Sequence, residues 1–497
     1  MTKLKRIKLL FFENRIKILI LLIIIFAAFL RFYNYDNRFG IAADQARDVL
    51  IVRQALRDHT LPLVGPFSAA GSFVFGPYWY WFFVIPVALF PHYLLAPWIF
   101  QSILYVLIIP ITYLAGKKII NYKFGLLLAF FTAISAKEIT LSTNLIISAL
   151  VGFFAFVIFY FFIKFLKEKK SVDIYIISFL ISLSINTHFE AVPLIFLIPM
   201  ALVYSKQKAK DIVFSIIFFI IPFAPLFIFN LNSNFYESSN ILNLHNQAPN
   251  GRTIVQVLKP WFDFGFTFIP RVWRDVLGSN AIIANLFIIL SILLNLIMLI
   301  KRKMPKEILG IFFSFVLMLA FLLLYKGRLF ENFLSFIFPF ILFISAWTCF
   351  ILFKKNKFAG TFVIIIISLF TLISNFSQIN NAVNNTSTIT NYFKNALIKN
   401  YPNTKFSLYN YNNINTDIAY SLSLYLDMEG KISDQGMRIG FANVGAPVNH
   451  QIIINNKALG LTIYTLHGTS NKEINKENFK PVNANNIYNQ VENWYKH

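Results

Sequence analysis

Long apolar runs separated by short polar loops fill the first three quarters of the chain. The runs lack the alternating apolar and polar positions of strands, so they predict helices. A helix needs roughly 20 apolar residues to cross a bilayer, and about eleven such runs precede position 377. We therefore expect an all-α polytopic membrane bundle with spans at 16–32, 97–116, 119–136, 145–163, 173–187, 189–205, 211–229, 281–300, 307–325, 332–352 and 358–376.

Two apolar pieces, 78–90 and 97–115, follow the first outer loop, where the topology requires an odd number of crossings. The first piece is short and contains Trp79, Tyr80 and Trp81. Trp and Tyr concentrate at the membrane–water interface. We expect the first piece to lie in or near the outer interface and the second to cross.

After position 376 the chain becomes rich in Asn, Thr, Ser, Lys and Tyr, with no further span. Short alternating pieces, KFSLYNY and QIIINN, predict strands, and 416–429 predicts a helix. We expect residues 1–376 to form the membrane domain, with outer loops at 33–77 and 230–280. Residues 377–497 are predicted to form a small soluble α/β domain outside the membrane.

The composition excludes a single soluble core, because 57% of the residues are hydrophobic and only 13% are charged. A net charge of +23 would suggest nucleic acid in a soluble protein. Here the Lys and Arg residues lie mostly in short loops between apolar runs, which is the pattern of the positive-inside rule. The predicted partner is thus the lipid bilayer and not nucleic acid. The basic loops predicted to be cytoplasmic are 117–123, 164–170, 206–210, 301–306 and 354–357.

This pattern predicts a multi-pass protein of the cell membrane with a cytoplasmic N-terminus and an extracytoplasmic C-terminal domain. The basic and then apolar N-terminus lacks a small-residue cleavage site, so we interpret it as an uncleaved first span. The single cysteine, Cys349, lies within an apolar run and excludes a disulfide framework or a cysteine metal cluster.

The polar residues outside the cytoplasmic loops lie mostly in loops that are predicted to be on the opposite side of the membrane. Five outer loops contribute them: Asp44, Arg47 and Asp48; Lys137, Glu138 and Asn144; His188 and Glu190; Arg271 and Arg274; and Lys326, Arg328 and Glu331. A membrane scaffold without a site has no reason to place polar residues from five separate loops on one face. This face therefore carries the predicted site.

The first outer loop opens with Asp44-Gln45-Ala46-Arg47-Asp48. A basic N-terminus, one span, a long outer loop with this acidic motif and an aromatic, proline-containing entry to the next segment together resemble the GT-C membrane glycosyltransferases. Protein O-mannosyltransferases and the bacterial transferases that add aminoarabinose to lipid A are the most similar in pattern. The resemblance covers the layout of 31–376 and implies a GT-C-like bundle.

The resemblance also implies roles. Asp44 matches the catalytic acidic position, and Arg47 matches the arginine that faces the lipid phosphate. Gln45 stands where the family has Glu, and Asp48 where it has Tyr. Gly76 begins the tripeptide that replaces the family's Lys-Pro-Pro. Two other segments, SLSINTHFEAVPL and KGRLFENFLSFIFP, resemble family segments at the same face.

A carboxylate and an arginine suit glycosyl transfer from a lipid phosphate. The carboxylate accepts the proton of the acceptor hydroxyl while the sugar carbon gains positive character. The phosphate leaving group needs no proton, but arginine can bind its charge bidentately. Asp44 is thus the predicted base. The predicted phosphate ligands are Arg47, Arg271, Arg274, Lys326 and Arg328, and the predicted substrate-contacting or supporting residues are Asp48, Glu138, Asn144, His188 and Glu331.

Simpler roles stay open for the same residues. Asp44 and Arg47, three apart on a helix, also suit a solvated ion pair. His188 also suits a satisfied polar residue at the end of a span. Arg271 and Arg274 also suit anchors whose side chains reach the headgroups.

The sequence predicts a glycosyltransferase that moves a sugar from a polyprenyl-phosphate-linked donor to a protein, lipid or envelope glycan acceptor at the outer face. The alternatives are a ligase or polymerase of lipid-linked oligosaccharides and a non-enzymatic lipid or sugar transporter, that is, a flippase. No cofactor is predicted with certainty. A divalent metal ion stays open.

Overall fold

The computed structural model describes residues 3–68, 73–204, 208–240, 261–278, 280–323, 330–412, 415–444, 450–466 and 479–482, with side chains from position 14 onward. The helices before position 381 are α1 (Lys3–Phe32), α2 (Ala43–Arg57), α3 (Tyr78–Leu89), α4 (Ala96–Ile119), α5 (Tyr122–Ile134), α6 (Ala136–Thr143), α7 (Ile147–Glu168), α8 (Ser171–Thr187), α9 (Leu197–Tyr204), α10 (Ala209–Ile220), α11 (Ala224–Asn232), α12 (Ile269–Leu277), α13 (Ala281–Ile300), α14 (Lys306–Leu322), α15 (Phe338–Lys355) and α16 (Lys357–Asn380).

Short irregular helices join several of these. Helices of the 3-10 type cover Tyr35–Asn37, Phe189–Phe196, Ile221–Phe223 and Glu331–Ile337, and a π-helical turn covers Phe264–Phe268. The C-terminal part contains α17 (Asn385–Asn400), β1 (Phe406–Tyr411), α18 (Thr416–Met428), β2 (Met437–Asn443), β3 (Gln451–Asn456), β4 (Leu461–Thr465) and β5 (Phe479–Pro481).

The predicted helical membrane bundle is confirmed, but the count of about eleven spans is not. Among the described residues, six helices are long and apolar enough to cross a membrane, or seven if the bent pair α5–α6 forms one span. The count is lower partly because α8 and α14 have only 17 residues each. The predicted span at 189–205 begins with a 3-10 helix, which rises about 2 Å per residue and so covers more depth per residue than an α-helix.

The bundle contains a sharp bend that the sequence pattern does not signal. Helices α5 and α6 meet at 54°, because Ser135 leaves the helical conformation and its hydroxyl donates to Val276 O at 2.6 Å. The bend frees backbone carbonyls in an apolar setting, where each unpaired group is costly. Arg31 donates to Ala133 O at 3.1 Å, and Asn375 donates to Ile134 O at 2.7 Å. These contacts account for a fully buried arginine in the bundle.

The segment 331–355 forms the centre of the bundle, with 89% of its apolar window buried. Phe340 and Phe343 of α15 pack edge-on against Phe159 of α7. By contrast, only 11% of the corresponding window in α10–α11 is buried. The exposed apolar side chains of that pair suit contact with lipid tails.

Three of the five predicted cytoplasmic loops lie together at one end of the bundle. Glu168 forms ion pairs with Lys118 and, at 2.8 Å, with Lys170. Lys167 lies 3.0 Å from Glu307. These pairs join the loops after α4, α7 and α13, in agreement with the shared side that the distribution of lysines predicts.

The C-terminal part contains the predicted sheet and helix. Its sheet has the order β3-β4-β2-β1-β5, with β1 and β2 parallel and the other pairs antiparallel. Helix α18 is the crossover between β1 and β2, as a parallel pair requires. Leu422 and Leu426 of α18 pack with Phe406, Leu408 and Phe441 of the sheet.

Candidate active site

The first outer loop is fixed to the end of α6 before α2 begins. Gly40 N donates to Thr143 O at 2.9 Å. A Cβ atom at position 40 would lie 2.6 Å from Asn144 Oδ1, so a larger residue would displace the Asn144 side chain or the loop. Asn144, a predicted supporting residue, therefore contacts the loop that carries the acidic motif.

Asp44, Arg47 and Asp48 form one connected group on the first turns of α2. Arg47 Nη1 lies 2.7 Å from Asp44 Oδ1, and its Nη2 lies 2.8 Å from Asp48 Oδ1. Arg47 Nε also donates to Asp48 Oδ1, at 2.9 Å. The side chain of Asp44 is 75% exposed, whereas that of Asp48 is only 7% exposed. Asp44 is thus the carboxylate of the pair that an external molecule can reach.

Asp48 is held from the other side by α3. The indole N–H of Trp79 donates to Asp48 Oδ2 at 2.7 Å. Burial raises the pKa of Asp48, while Arg47 and Trp79 oppose that shift. Burial also acts to lower the pKa of Arg47, but Asp48, Tyr80 and Asp44 outweigh it and raise the pKa, so the guanidinium stays charged.

His188 lies between the loop that precedes α3 and the 331–337 segment, in contact with an aromatic ring of each. Its ring centroid is 4.7 Å from that of Phe75 and 4.9 Å from that of Phe333. Its Nδ1 accepts a hydrogen bond from Glu190 N at 3.3 Å. Burial lowers the pKa of His188 to about 4, so the imidazole is neutral near pH 7. This position suits packing of the first outer loop against the 331–337 segment.

A second charged group lies on α6, α12 and the 331–337 segment. Arg271 lies 3.3 Å from Glu331, and Arg274 lies 3.5 Å from its neighbour Asp275. Lys137 is attracted by Asp275 and Glu331. These residues are partly exposed and pair with one another.

Glu138 is fully buried, away from the exposed groups. Neither of its carboxylate oxygens has a hydrogen-bond partner among the described residues, and Arg31 and Lys137 attract it electrostatically. Lys326 and Arg328, two predicted phosphate ligands, lie outside the described residues.

Two carboxylates of the C-terminal part contact α2, and the sequence pattern does not predict these contacts. Asp417 Oδ1 accepts a hydrogen bond from Ala43 N at 2.9 Å. Asp427 forms ion pairs with Arg53 at 2.5 Å and Arg57 at 2.7 Å. The sequence offered only two acidic positions on the helix predicted at 416–429, and these do not identify the surface that the helix contacts.

The residues around Asp44 do not fit a metal ion. No group of three or more His, Cys, Asp or Glu side chains among the described residues could hold one. The Arg47 guanidinium contacts both Asp44 and Asp48, and its charge opposes a cation there. Gln45, which directly follows Asp44, is neutral, and its amide nitrogen lies 3.5 Å from Asn144 Oδ1.

No protein-family model and no curated protein sequence matches the chain. The fold is similar to that of ArnT from Cupriavidus metallidurans bound to undecaprenyl phosphate, with a TM-score of 0.58, 8% identity and coverage of 89% of this chain and 97% of ArnT. The apo state of ArnT gives a TM-score of 0.58 and 9% identity with the same coverage. The Archaeoglobus fulgidus oligosaccharyltransferase tethered with an acceptor peptide gives a TM-score of 0.51, 12% identity and coverage of 87% and 69%. These similarities show a shared fold over most of the chain, and the resemblance in fold that the sequence predicted is confirmed.

Proposed function

We propose that the chain is an integral membrane glycosyltransferase that moves a sugar from a polyprenyl-phosphate-linked donor to an acceptor at the outer face of the membrane. The observation that carries the proposal is the exposed Asp44 carboxylate beside the anchored guanidinium of Arg47. Two further facts support it. The fold matches ArnT over nearly its whole length, and that structure contains undecaprenyl phosphate.

The proposed reaction is a direct displacement. An acceptor hydroxyl oxygen attacks the anomeric carbon of the donor sugar, and the bond from that carbon to the phosphate oxygen breaks. The electron pair of that bond leaves with the lipid phosphate. Asp44 accepts the hydroxyl proton, which is the role of a general base. The products are the glycosylated acceptor and the polyprenyl phosphate.

Arg47 is the proposed phosphate ligand. Asp48 occupies its Nε and Nη2, while Nη1 contacts Asp44. In the proposal, the donor phosphate replaces Asp44 on Nη1. This exchange holds the charge of the leaving group and, at the same time, releases the Asp44 carboxylate to act on the acceptor.

The other predicted residues have supporting roles in this scheme. Asp48 directs Arg47, Asn144 fixes the start of the loop, and His188 packs the loop against the 331–337 segment. The remaining basic residues are proposed to contact the donor phosphate or a charged acceptor, and the acidic ones to hold them. These basic residues are Arg271, Arg274, Lys326 and Arg328, and the acidic residue that holds Arg271 is Glu331. Glu138 is proposed to act from inside the bundle, through its attraction to Arg31 and Lys137.

The proposed location is a cell membrane with the site and the C-terminal part on the extracytoplasmic side. The separation of the two ends of the bundle supports this orientation. At one end, ion pairs join three of the lysine-rich loops, and the other end carries Asp44 and Arg47. The acceptor, whether protein, lipid or envelope glycan, defines the final product.

A second candidate is the transfer of a lipid-linked oligosaccharide. The similarity to the archaeal oligosaccharyltransferase favours it. Donor length separates the two candidates, since a ligase or polymerase consumes long lipid-linked glycans and leaves lipid-linked monosaccharides unused. A flippase would move either lipid between leaflets without a covalent product.

The central test is Asp44→Asn in membranes that contain the expressed chain, supplied with a panel of radiolabelled polyprenyl-phosphate monosaccharides. We expect the rate of sugar transfer to fall by roughly a hundredfold or more, because the amide cannot accept the proton. Binding of undecaprenyl phosphate should be at least as tight as in wild type, because the amide competes less well than the carboxylate for Arg47 Nη1. Asp58→Asn, which changes a carboxylate just after the last residue of α2, is the matched control and should retain full activity. Full activity of Asp44→Asn would remove Asp44 as the base.

A further inference from the structure

Helix α18 of the C-terminal part runs alongside α2 in the same direction. Asp417, in the first turn of α18, accepts the hydrogen bond from Ala43 N at the first residue of α2. Asp427, near the end of α18, pairs with Arg53 and Arg57 at the end of α2. Two contacts, one at each end, fix both the axial position and the rotation of α2.

The contact at the first turn gives α2 an N-terminal cap, which its own residues do not form. Its N-cap residue, Ala42, has no side chain that can accept a hydrogen bond, and no side-chain cap is formed by it. The first N–H groups of a helix have no partner within the helix. Asp417 therefore acts as a cap from another domain, directly beside Asp44.

The contact at the far end is well shielded from water. The side chain of Asp427 is 7% exposed and that of Arg53 is 13% exposed. Arg53 Nη1 also donates to Pro91 O at 2.6 Å. This arginine thus joins α2 to the loop before α4 as well as to α18. Removal of Asp427 would leave Arg53 without the carboxylate that compensates its partly buried charge.

The middle of α18 also faces the site and the bundle. Leu424 and Tyr425 are buried in the main core of the membrane domain together with Val49 and Ile51 of α2. Burial raises the pKa of Tyr420, while Arg47 acts to lower it and Asp44 to raise it. The Tyr420 hydroxyl is therefore within electrostatic reach of both proposed site residues.

We infer that α18 is a positioning element for the active site, in which Asp417 and Asp427 hold α2 so that Asp44 and Arg47 keep their places on its first turns. The catalytic consequence rests on the proposed function, whereas the effect on α2 does not. The C-terminal domain is then a required part of the site and more than an appendage of the bundle.

The test is hydrogen–deuterium exchange of the α2 backbone amides in the full-length protein in nanodiscs. Asp417→Ala should raise the exchange of the first-turn amides roughly fivefold, the effect of a lost cap. Asp427→Asn should raise exchange in the last two turns by roughly tenfold, because two arginines lose a charged partner. Asp417→Asn keeps an acceptor oxygen and should exchange like wild type.

Glu429→Gln is the matched control, since Glu429 pairs with Lys394 inside the C-terminal part and should leave α2 unchanged. Sugar transfer measured on the same samples should fall about tenfold in kcat for Asp417→Ala, with a smaller change in KM. If exchange in α2 rises in the variants but even the wild type transfers no sugar, the result would contradict the proposed function and support the positioning role. Exchange in α2 that is unchanged in both Asp417→Ala and Asp427→Asn would overturn the inference.

Discussion

The indole N–H of Trp79 donates a hydrogen bond of 2.7 Å to Asp48 Oδ2. The other oxygen of Asp48 accepts two hydrogen bonds from Arg47. A tryptophan on a short apolar helix therefore anchors the carboxylate that directs the proposed phosphate ligand. This chain of contacts also explains why Asp44, and not Asp48, is available as a base.

Trp79→Phe should weaken both the fold and the binding of phosphate. The ring is kept, but the buried Asp48 carboxylate loses a donor, which costs about 1–3 kcal/mol. We expect the free energy of unfolding to fall by that amount. The affinity for undecaprenyl phosphate should fall severalfold, because Arg47 is no longer held in one orientation. Denaturation in nanodiscs and titration with undecaprenyl phosphate measure the two effects.

Trp81→Phe is the matched control for that change. Trp81 lies on the same helix, and its indole N–H donates to Pro62 O at 2.8 Å, away from Asp48. The loss of one neutral hydrogen bond should cost about 1 kcal/mol and leave the affinity unchanged. Equal losses of affinity in the two variants would contradict the role assigned to Trp79.

Arg47→Lys tests whether the positive charge at position 47 is sufficient or whether the planar guanidinium is also required. A lysine ammonium keeps the positive charge but cannot contact Asp48 and a phosphate with separate, fixed donors. We expect KM for the lipid-phosphate donor to rise roughly tenfold or more, with a smaller change in kcat. Arg271→Lys provides the comparison. A rise in KM for Arg271→Lys together with an unchanged KM for Arg47→Lys would place the phosphate at the second charged group instead.

Hydropathy alone predicted the helical bundle, because a backbone in lipid must satisfy its own hydrogen bonds. The bend at Ser135 was not predictable in this way, since neither proline nor glycine marks it. Its free carbonyls are satisfied by Arg31 and Asn375, which are remote along the chain. Local patterns carry no information on such partners.

The candidate site likewise contains contacts that the sequence predicts and contacts that it does not. The contact between Asp44 and Arg47 followed from their spacing on one helix. The role of Trp79 did not, because an interfacial tryptophan has the same sequence pattern as one that binds a buried carboxylate. The contacts of Asp417 and Asp427 with α2 join segments more than 300 residues apart. Only the folded chain shows that they meet.

Gly40→Ala should disturb the start of the site loop. The added Cβ would lie 2.6 Å from Asn144 Oδ1, so the Asn144 side chain or the loop must move. We expect a loss of about 1–3 kcal/mol in the free energy of unfolding and a reduced kcat for sugar transfer. Gly265→Ala is the control, because nothing lies within 4 Å of its added Cβ. Equal free energies of unfolding and equal kcat values in the two variants would show that the close approach of Gly40 to Asn144 contributes to neither stability nor sugar transfer.

Glu237 joins the large outer loop to the first one. It is only 3% exposed, and its carboxylate oxygens accept from Val74 N at 3.1 and 3.2 Å. Burial raises its pKa to about 7, against the opposing hydrogen bond from Val74. The folded protein thus binds this proton more tightly than the unfolded chain. Its contribution to stability is complete below about pH 4.5, declines as the pH rises towards 7, and is lost above that value.

Glu237→Gln should therefore remove a pH dependence that the wild type shows. The glutamine keeps an oxygen that can accept from Val74 but does not ionise. Between pH 5 and 8 we expect the free energy of unfolding of the wild type to fall by about 2 kcal/mol more than that of the variant. Unfolding of both proteins in nanodiscs across this range is the measurement. Glu429→Gln, which alters an exposed glutamate, should keep the wild-type slope. Parallel pH curves for wild type and Glu237→Gln would show that the contact between Glu237 and Val74 does not titrate in this range.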